Sequence, residues 1–149
     1  MIYQMQEGYF TLEGDWRDRS INMLEAAHLP VKGANLTVTR EPLPPGMKFD
    51  DYLGSQKRTI AKELPEFMIH ADNPDIIDQL PAHYLEFSWK NQGSAMRQMV
   101  MVINLDGQIL SLTATIPGGN ENSCREALLC VMRSLRFGST TTAERGPSE

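Results

Sequence analysis

The segment at residues 95–105 constrains this chain most, because it reads as a strand that carries apolar residues on both faces. Alternation with a period of two assigns its large side chains to opposite faces, Met96, Val100 and Val102 on one and Met99, Met101, Ile103 and Leu105 on the other. Both faces therefore need cover. Methionine side chains are flexible and polarisable, so they suit surfaces that accept more than one apolar shape. Either the chain covers both faces by itself, or one face awaits another polypeptide.

Composition limits the class of protein. With 149 residues, of which 41% are hydrophobic, the chain predicts one globular domain at residues 1–137 and a disordered polar tail at 138–149. A net charge of -5 with scattered Lys and Arg argues against binding nucleic acid or inserting directly into an anionic bilayer.

The first twelve residues lack the features of a signal peptide, and no stretch approaches the roughly 20 apolar residues of a membrane span. We therefore expect a cytoplasmic protein. Cys124 and Cys130 lie in a helical segment at a spacing that puts them on different faces, which predicts two reduced, buried thiols.

Short strands are predicted in the first third of the chain, at residues 2–6, 9–12, 19–24 and 34–40. A helix at 49–64 follows and is ended by Pro65. A short segment at 67–70, a loop around Asn73-Pro74 and a strand at 76–80 come next. Three long strands at 82–90, 94–105 and 108–116 are joined by glycine-containing hairpin turns, and a second helix spans 121–137.

These elements predict an α+β fold with a twisted antiparallel sheet of about six strands and two main helices. Strands lie about 5 Å apart and a helix is about 10 Å across, so one helix covers roughly two strands. Two helices cannot cover both faces of such a sheet. Most strands alternate apolar with polar residues and tolerate water on one face, but the strand at 94–105 does not.

The helix at 49–64 contains a polar anomaly. Phe49, Leu53, Ile60 and Leu64 fall on one apolar arc, and Gln56 falls inside the same arc. Gln98 repeats the pattern on one face of the central strand. A buried amide without a partner costs on the order of 1–3 kcal/mol, so each glutamine either bonds within the protein, touches water at an edge or serves a ligand.

Catalytic and metal-binding signatures are absent from the sequence. His28, His70 and His83 lie far apart in unrelated elements and lack the spacing of metal ligands. The chain has no His-Glu-x-x-His, Cys-x-x-Cys or Gly-x-Ser-x-Gly motif. We expect a protein that is not an enzyme and that uses no metal or cofactor.

The ordered set of motifs along the chain resembles one family. The motifs are Trp16-x-Asp18-x-Ser20-Ile21-Asn22-Met23, Leu36-x-Val38-x-Arg40, Phe49-x-Asp51-Tyr52-Leu53-x-x-Gln56, Leu64-Pro65-x-Phe67, Trp89 and Arg97-Gln98. Together, from about residue 3 to 137, they resemble the Eag (effector-associated gene) chaperones of bacterial type VI secretion.

The resemblance implies a DcrB-like fold and a homodimer in the bacterial cytoplasm. Eag chaperones hold the N-terminal transmembrane helices of PAAR- and Rhs-type effectors until the effector is loaded on the secretion spike. Carried over by position, the client-binding residues would be Ile21, Met23, Thr37, Gln56, Ile60, Leu64, Met96 and Gln98. Whether Ser94 or Met96 faces the client depends on the turn at Asn91-Gln92-Gly93.

Two rival functions are open from the sequence. The first is a scaffold or regulator on the same fold that binds a soluble protein partner. The second is an unrecognised enzyme or a small-lipid carrier, which requires an enclosed pocket with convergent polar groups rather than an open groove.

Overall fold

A computed structural model describes residues 1–118 and 122–138 of the chain. Its elements run β1 (Ile2–Gln4), β2 (Tyr9–Thr11), β3 (Asn22–Glu25), β4 (Asn35–Pro42), α1 (Phe49–Glu63), β5 (Met68–Ile77), β6 (Leu80–Asn91), β7 (Ser94–Leu105), β8 (Gln108–Pro117) and α2 (Asn122–Arg133). Six strands form one antiparallel sheet in the order β3-β4-β8-β7-β6-β5. The predicted α+β fold is confirmed.

Three two-residue turns connect the four strands from β5 to β8. Gln92-Gly93 and Asp106-Gly107 have positive φ at both positions, which matches the twist of the flanking strands. Asp78-Gln79 adopts the same geometry, with φ of 46° and 70°, although it contains no glycine. The meander of long strands was therefore predictable, whereas the first of its turns was not.

The β5 strand corrects two predictions. The loop around Asn73-Pro74 and the strand at 76–80 are both wrong, because Met68–Ile77 is one continuous strand and the chain turns at Asp78-Gln79. β5 lies at the edge of the sheet, so no strand pairs with its outer side. A proline, which has no N–H to donate, is tolerated in such an edge strand. Pro74 is therefore compatible with the strand.

The α2 helix closes one face of the sheet. Met99, Met101 and Ile103 of β7 are fully buried there and pack in one cluster with Leu128 and other residues. The odd-numbered face of the methionine-rich strand is thus covered from within the chain. The helix is shorter than predicted and ends at Arg133, while its predicted start at residue 121 lies outside the described residues.

The α1 helix covers only part of the opposite face. Tyr52 and Leu53, in the first half of the helix, pack on Val102 and Ile109. Residues 43–47, which precede the helix, supply further apolar cover through Leu43 and Met47. The second half of the helix borders an opening, so the even-numbered face of β7 is sealed at one end and open at the other.

Other expectations for the ends of the chain differ from the structure. β1 and β2 form a two-stranded hairpin separate from the main sheet. Cys124 is buried as predicted and both thiols are free, but Cys130 is exposed because it lies on the outer side of α2. The predicted disordered tail falls mostly outside the described residues, and the single domain at 1–137 stays a prediction.

Candidate functional site

An open groove lies between the second half of α1 and the uncovered part of the sheet. Its volume is about 500 Å³, and five of the eight predicted client-binding residues line it. These five are Ile21, Gln56, Ile60, Leu64 and Gln98. We call this space the groove. Sequence reasoning thus selected residues from three separate parts of the chain that the fold brings to one place: the approach to β3, the helix α1 with its C-cap, and β7.

The other three predicted residues lie on the same sheet face without lining the groove. Met23 pairs with Thr37, and Thr37 pairs in turn with Thr113 of β8, whose neighbour Val100 does line the groove. Met96 lies one pleat beyond Gln98, opposite Trp89. Ser94 and Met96 are two residues apart on β7 and so share a face by alternation, which makes them neighbours rather than alternatives.

Ile21, which lines the groove, and Met23, which lies beside it on β3, expose large apolar side chains. Ile21 is 65% exposed and Met23 is 69% exposed. Water contact with such side chains is unfavourable by roughly 25 cal/mol per Å² of apolar surface. The groove is therefore an exposed apolar surface rather than part of a sealed core.

The two glutamines have different surroundings. Gln98 Oε1 accepts a hydrogen bond of 2.8 Å from Trp89 Nε1, and Gln98 Nε2 donates one of 3.0 Å to Thr115 Oγ1. These bonds fix the amide and leave one N–H and one lone pair for a ligand. Gln56 is exposed, and its amide has no hydrogen-bond partner among residues 1–118 and 122–138.

Hydroxyl groups form part of the groove floor, a feature that sequence reasoning missed. Thr39 pairs with Ser111 across β4 and β8, and Thr113 lies two residues further along β8. All three are partly buried and line the groove. The alternation of polar with apolar residues along each strand predicted a sheet face that tolerates water. The row of hydroxyls across two strands depends on how those strands are aligned, which is a matter of register.

Charged groups flank the groove at two places. The Tyr52 hydroxyl donates a hydrogen bond to the Glu41 carboxylate, and burial together with this bond raises the pKa of Tyr52. Asp72 on β5 bonds with His83 and with Lys57 Nζ, the latter at 3.1 Å. Hydrogen bonding from His83 and Lys57 lowers the pKa of Asp72. This second group ties α1 to the far edge of the sheet.

A buried ion-pair network lies on the opposite, closed face. Glu86 is 1% exposed and accepts bonds from Arg97 Nε at 2.8 Å, from both ends of the Arg125 guanidinium at 2.7–2.8 Å, and from the Tyr84 hydroxyl at 2.6 Å. Burial raises the pKa of Glu86, but hydrogen bonds from Arg125, Tyr84 and Arg97 outweigh burial and lower it to about 2. The network joins α2 to the sheet, and no sequence motif indicated it.

A second exposed apolar surface is formed by the β1–β2 hairpin and the segment that follows it. Ile2, Tyr9, Phe10 and Trp16 are all exposed. Trp16 donates its indole N–H to the Glu13 carbonyl on the surface. The hairpin is tied to the rest of the chain where Tyr3 Oη meets Ser20 Oγ at 2.9 Å.

Neither helix in the described part of the chain has the length and apolar character needed to cross a bilayer. Over the same residues, no group of three or more His, Cys, Asp or Glu side chains is arranged to hold a metal ion.

Comparison with known proteins gives this α+β chain a family. The DcrB family model matches residues 7–134, so the chain belongs to the DcrB family. Among curated proteins, Effector EagT6 of Pseudomonas aeruginosa is 25% identical over 118 residues, which cover 78% of this chain and 82% of that relative. The resemblance to Eag proteins is thereby confirmed.

Solved structures share the fold. The crystal structure of PA94, a protein of unknown function from Pseudomonas aeruginosa, matches with a TM-score of 0.77 at 23% identity and covers 94% of this chain and 98% of that one. The solution structure of CyanoP from Synechocystis matches with a TM-score of 0.56 at 11% identity, over 76% and 79% of the two chains. At these identities the matches support the architecture alone.

Proposed function

We propose that this protein is a type VI secretion effector chaperone. It binds the N-terminal transmembrane helices of a PAAR- or Rhs-type effector in the cytoplasm and shields them until the effector is loaded on the secretion spike. It acts as a homodimer and without catalysis. One observation carries the proposal: a groove lined by Ile21, Gln56, Ile60 and Gln98 lies open on a sheet face that α1 covers only in part.

The chemistry of the groove suits a transmembrane helix. Ile21, Ile60 and Leu64 offer apolar contact, which removes client surface from water without requiring one fixed shape. Gln56 and Gln98 supply amide groups that can reach backbone carbonyls where small residues let two chains approach closely. The half-buried hydroxyls of the floor add donors and acceptors of the same kind. A helix with a stripe of Gly, Ser or Thr therefore fits better than one that is uniformly Leu.

The relative named Effector EagT6 supports an association with type VI effectors. The open shape of the groove supports a protein client over a small molecule, because a lipid or substrate site encloses its ligand.

Co-expression tests the proposal. A carrier protein fused to a helix of about 20 apolar residues with a Gly and Ser stripe is produced with the chaperone, and the carrier that co-purifies is measured. We expect Ile21→Asp to reduce recovery at least tenfold, since a carboxylate then faces the client, and Gln56→Ala to reduce it several-fold. Circular dichroism should show both variants folded.

Two matched controls separate the groove from general effects of substitution. Ile76→Asp makes the same change at an equally exposed isoleucine on β5, and Lys62→Ala truncates an exposed residue on the same helix as Gln56. Both should recover the carrier like the wild type. If Ile21→Asp and Ile76→Asp reduced carrier recovery equally, or if the Ile21 and Gln56 variants failed to fold, the groove would not be the client-binding site. Recovery of partners without apolar helices would favour a scaffold instead.

A further inference from the structure

The two edges of the six-stranded sheet differ in their protection against pairing with another chain. The β5 edge has a register shift between Ile69 and Ala71, and Pro74 interrupts its backbone donors. Asp72 and Asp75 on the same strand are held in ion pairs with Lys57 and Arg133. Bulges, prolines and charges are the features that prevent edge-to-edge association. β5 is therefore a poor template for an added strand.

The β3 edge lacks this protection. Its four described residues contain no proline and no register shift, and only the last, Glu25, is charged. Met23 and Leu24 expose their side chains on opposite faces of the sheet, at 69% and 60%. An unprotected edge flanked by apolar side chains favours strand addition.

Backbone direction on β3 follows from one hydrogen bond. Ala26 N donates to Ala34 O at 2.8 Å, so the even-numbered residues of this antiparallel pair face β4. Because ladder bonds alternate along a strand, the N–H and C=O of Ile21 and Met23 point away from the sheet. The same alternation directs the side chains of Ile21 and Met23 to the groove face. Each residue therefore offers its backbone to a neighbouring strand and its side chain to the groove.

We propose that the β3 edge pairs antiparallel with the β3 edge of a second copy, with Asn22 on the two-fold axis. This inference deepens the proposed function by giving its homodimer an interface. In that register Ile21 faces Met23 of the second copy, and each pair exchanges two backbone hydrogen bonds. The two sheets become one continuous sheet.

Charge complementarity supports the second copy as the occupant. With Asn22 on the axis, Arg19 faces Glu25 of the other copy, and Glu25 faces Arg19. Both side chains are exposed, and neither forms an ion pair with any other residue in the described ranges. Moving the axis to Met23 would place Glu25 opposite Ile21, and moving it to Leu24 would place Glu25 opposite Met23. Only the register centred on Asn22 matches apolar with apolar and acid with base.

The pairing has a consequence for the groove. A two-fold axis perpendicular to the sheet leaves both α1 helices on the same side, since directly opposite residues of an antiparallel pair share a face. The side chains of Ile21 and Met23 from both copies then lie between the two grooves. The client surface becomes continuous across the dimer, with these side chains at its centre.

Amide hydrogen exchange tests the pairing directly. As the concentration of the protein without client is raised through the dissociation constant of the dimer, exchange at Ile21 and Met23 should slow at least tenfold. Leu24, already bonded to β4, should show no change and serves as the internal control. Light scattering on the same samples reports the oligomeric state.

A charge swap tests the register. Arg19→Glu should weaken the dimer about tenfold or more, because two ion pairs become two repulsive contacts, and adding Glu25→Arg should restore it. Met23→Pro should abolish the dimer while preserving the fold, since this substitution removes only an outward N–H. Met23→Ala keeps that N–H and should dimerise.

Three outcomes would overturn the inference. A dimer that forms with unchanged exchange at Met23, and that Phe10→Glu dissociates, would assign the interface to the β1–β2 hairpin instead. Protection of Met23 that develops only on adding the carrier would assign the edge to the client. A protein that is monomeric at every concentration yet still recovers the carrier would exclude the dimer and leave the client-binding proposal intact.

Discussion

The two faces of the main sheet are covered to different extents. On the α2 face, Met99, Met101 and Ile103 are fully buried, and Glu86 is neutralised by two arginines. On the α1 face, the apolar cluster stops at Val100 and Val102, and a groove follows. The same strand, β7, contributes to both faces.

The comparison separates stability from binding. Side chains buried within the chain stabilise the fold, because unfolding returns them to water. Side chains that remain exposed in the folded chain lose little on unfolding, so they are free to stabilise a complex instead. We therefore expect substitutions on the α2 face to change the free energy of unfolding, and substitutions on the α1 face to change client recovery.

The largest expected effect is on the closed face. Glu86→Ala leaves Arg97 and Arg125 without their common partner beside a buried site, and loss of one member of a buried ion pair costs roughly 3–5 kcal/mol. Urea unfolding followed by circular dichroism measures the change. As a control, Glu126→Ala changes an exposed position on α2, the helix that carries Arg125. It should change the free energy of unfolding by less than about 0.5 kcal/mol. A loss under about 1 kcal/mol for Glu86→Ala would mean that the network does not secure α2.

A pair of methionine substitutions compares the faces directly. Met101→Ala removes a fully buried side chain and should cost about 2–5 kcal/mol, whereas Met23→Ala truncates an exposed one and should cost under about 0.5 kcal/mol. Chemical denaturation measures both. Equal losses would show that the open face also contributes to the core.

Acid stability should depend on Glu86. Its pKa is about 2 in the folded protein against an ordinary 4.5, so its contribution is fully present above about pH 4.5 and is lost as pH falls toward 2. The shift corresponds to about 3 kcal/mol at most. Glu86→Gln should flatten this part of the stability curve, as measured by unfolding at a series of pH values. An unchanged slope would assign acid sensitivity to other carboxylates.

The smallest expected effect concerns the tie between α1 and β5. Asp72→Asn weakens the bonds to His83 and Lys57, which are partly exposed, and should cost about 0.5–1 kcal/mol. Because the pKa of Asp72 is lowered, the wild-type contribution should be present near neutral pH and fade in acid. Equal unfolding free energies of wild type and variant at pH 7 would show that apolar contacts alone hold α1 in place.

Much of the fold could be predicted because its signals are local. The glycines at positions 93 and 107 mark two hairpins, and Pro65 marks the end of α1. The turn at Asp78-Gln79 was missed because it has neither glycine nor asparagine at its centre, so a strand and a loop were misplaced around it. Pro74 added to the error, because proline in a strand is expected only at a sheet edge and the local sequence does not show that β5 is an edge strand.

The candidate site was predictable in its members but not in its geometry. Gln56 and Gln98 stood out as amides among apolar residues, yet only the folded chain shows that Trp89 and Thr115 fix one of them while the other stays open. The row formed by Thr39, Ser111 and Thr113 arises from strand register, which no local pattern specifies.

By itself, the sequence determined that β7 would be apolar on both faces and that two helices were too few to cover the whole sheet. Both conclusions follow from side-chain periodicity and element widths, which are local quantities. Only the tertiary structure decided that α2 would close its face while α1 left a groove, and that β3 would be the unprotected edge. Those outcomes depend on strand order and helix placement, which are set by contacts between residues far apart in the chain.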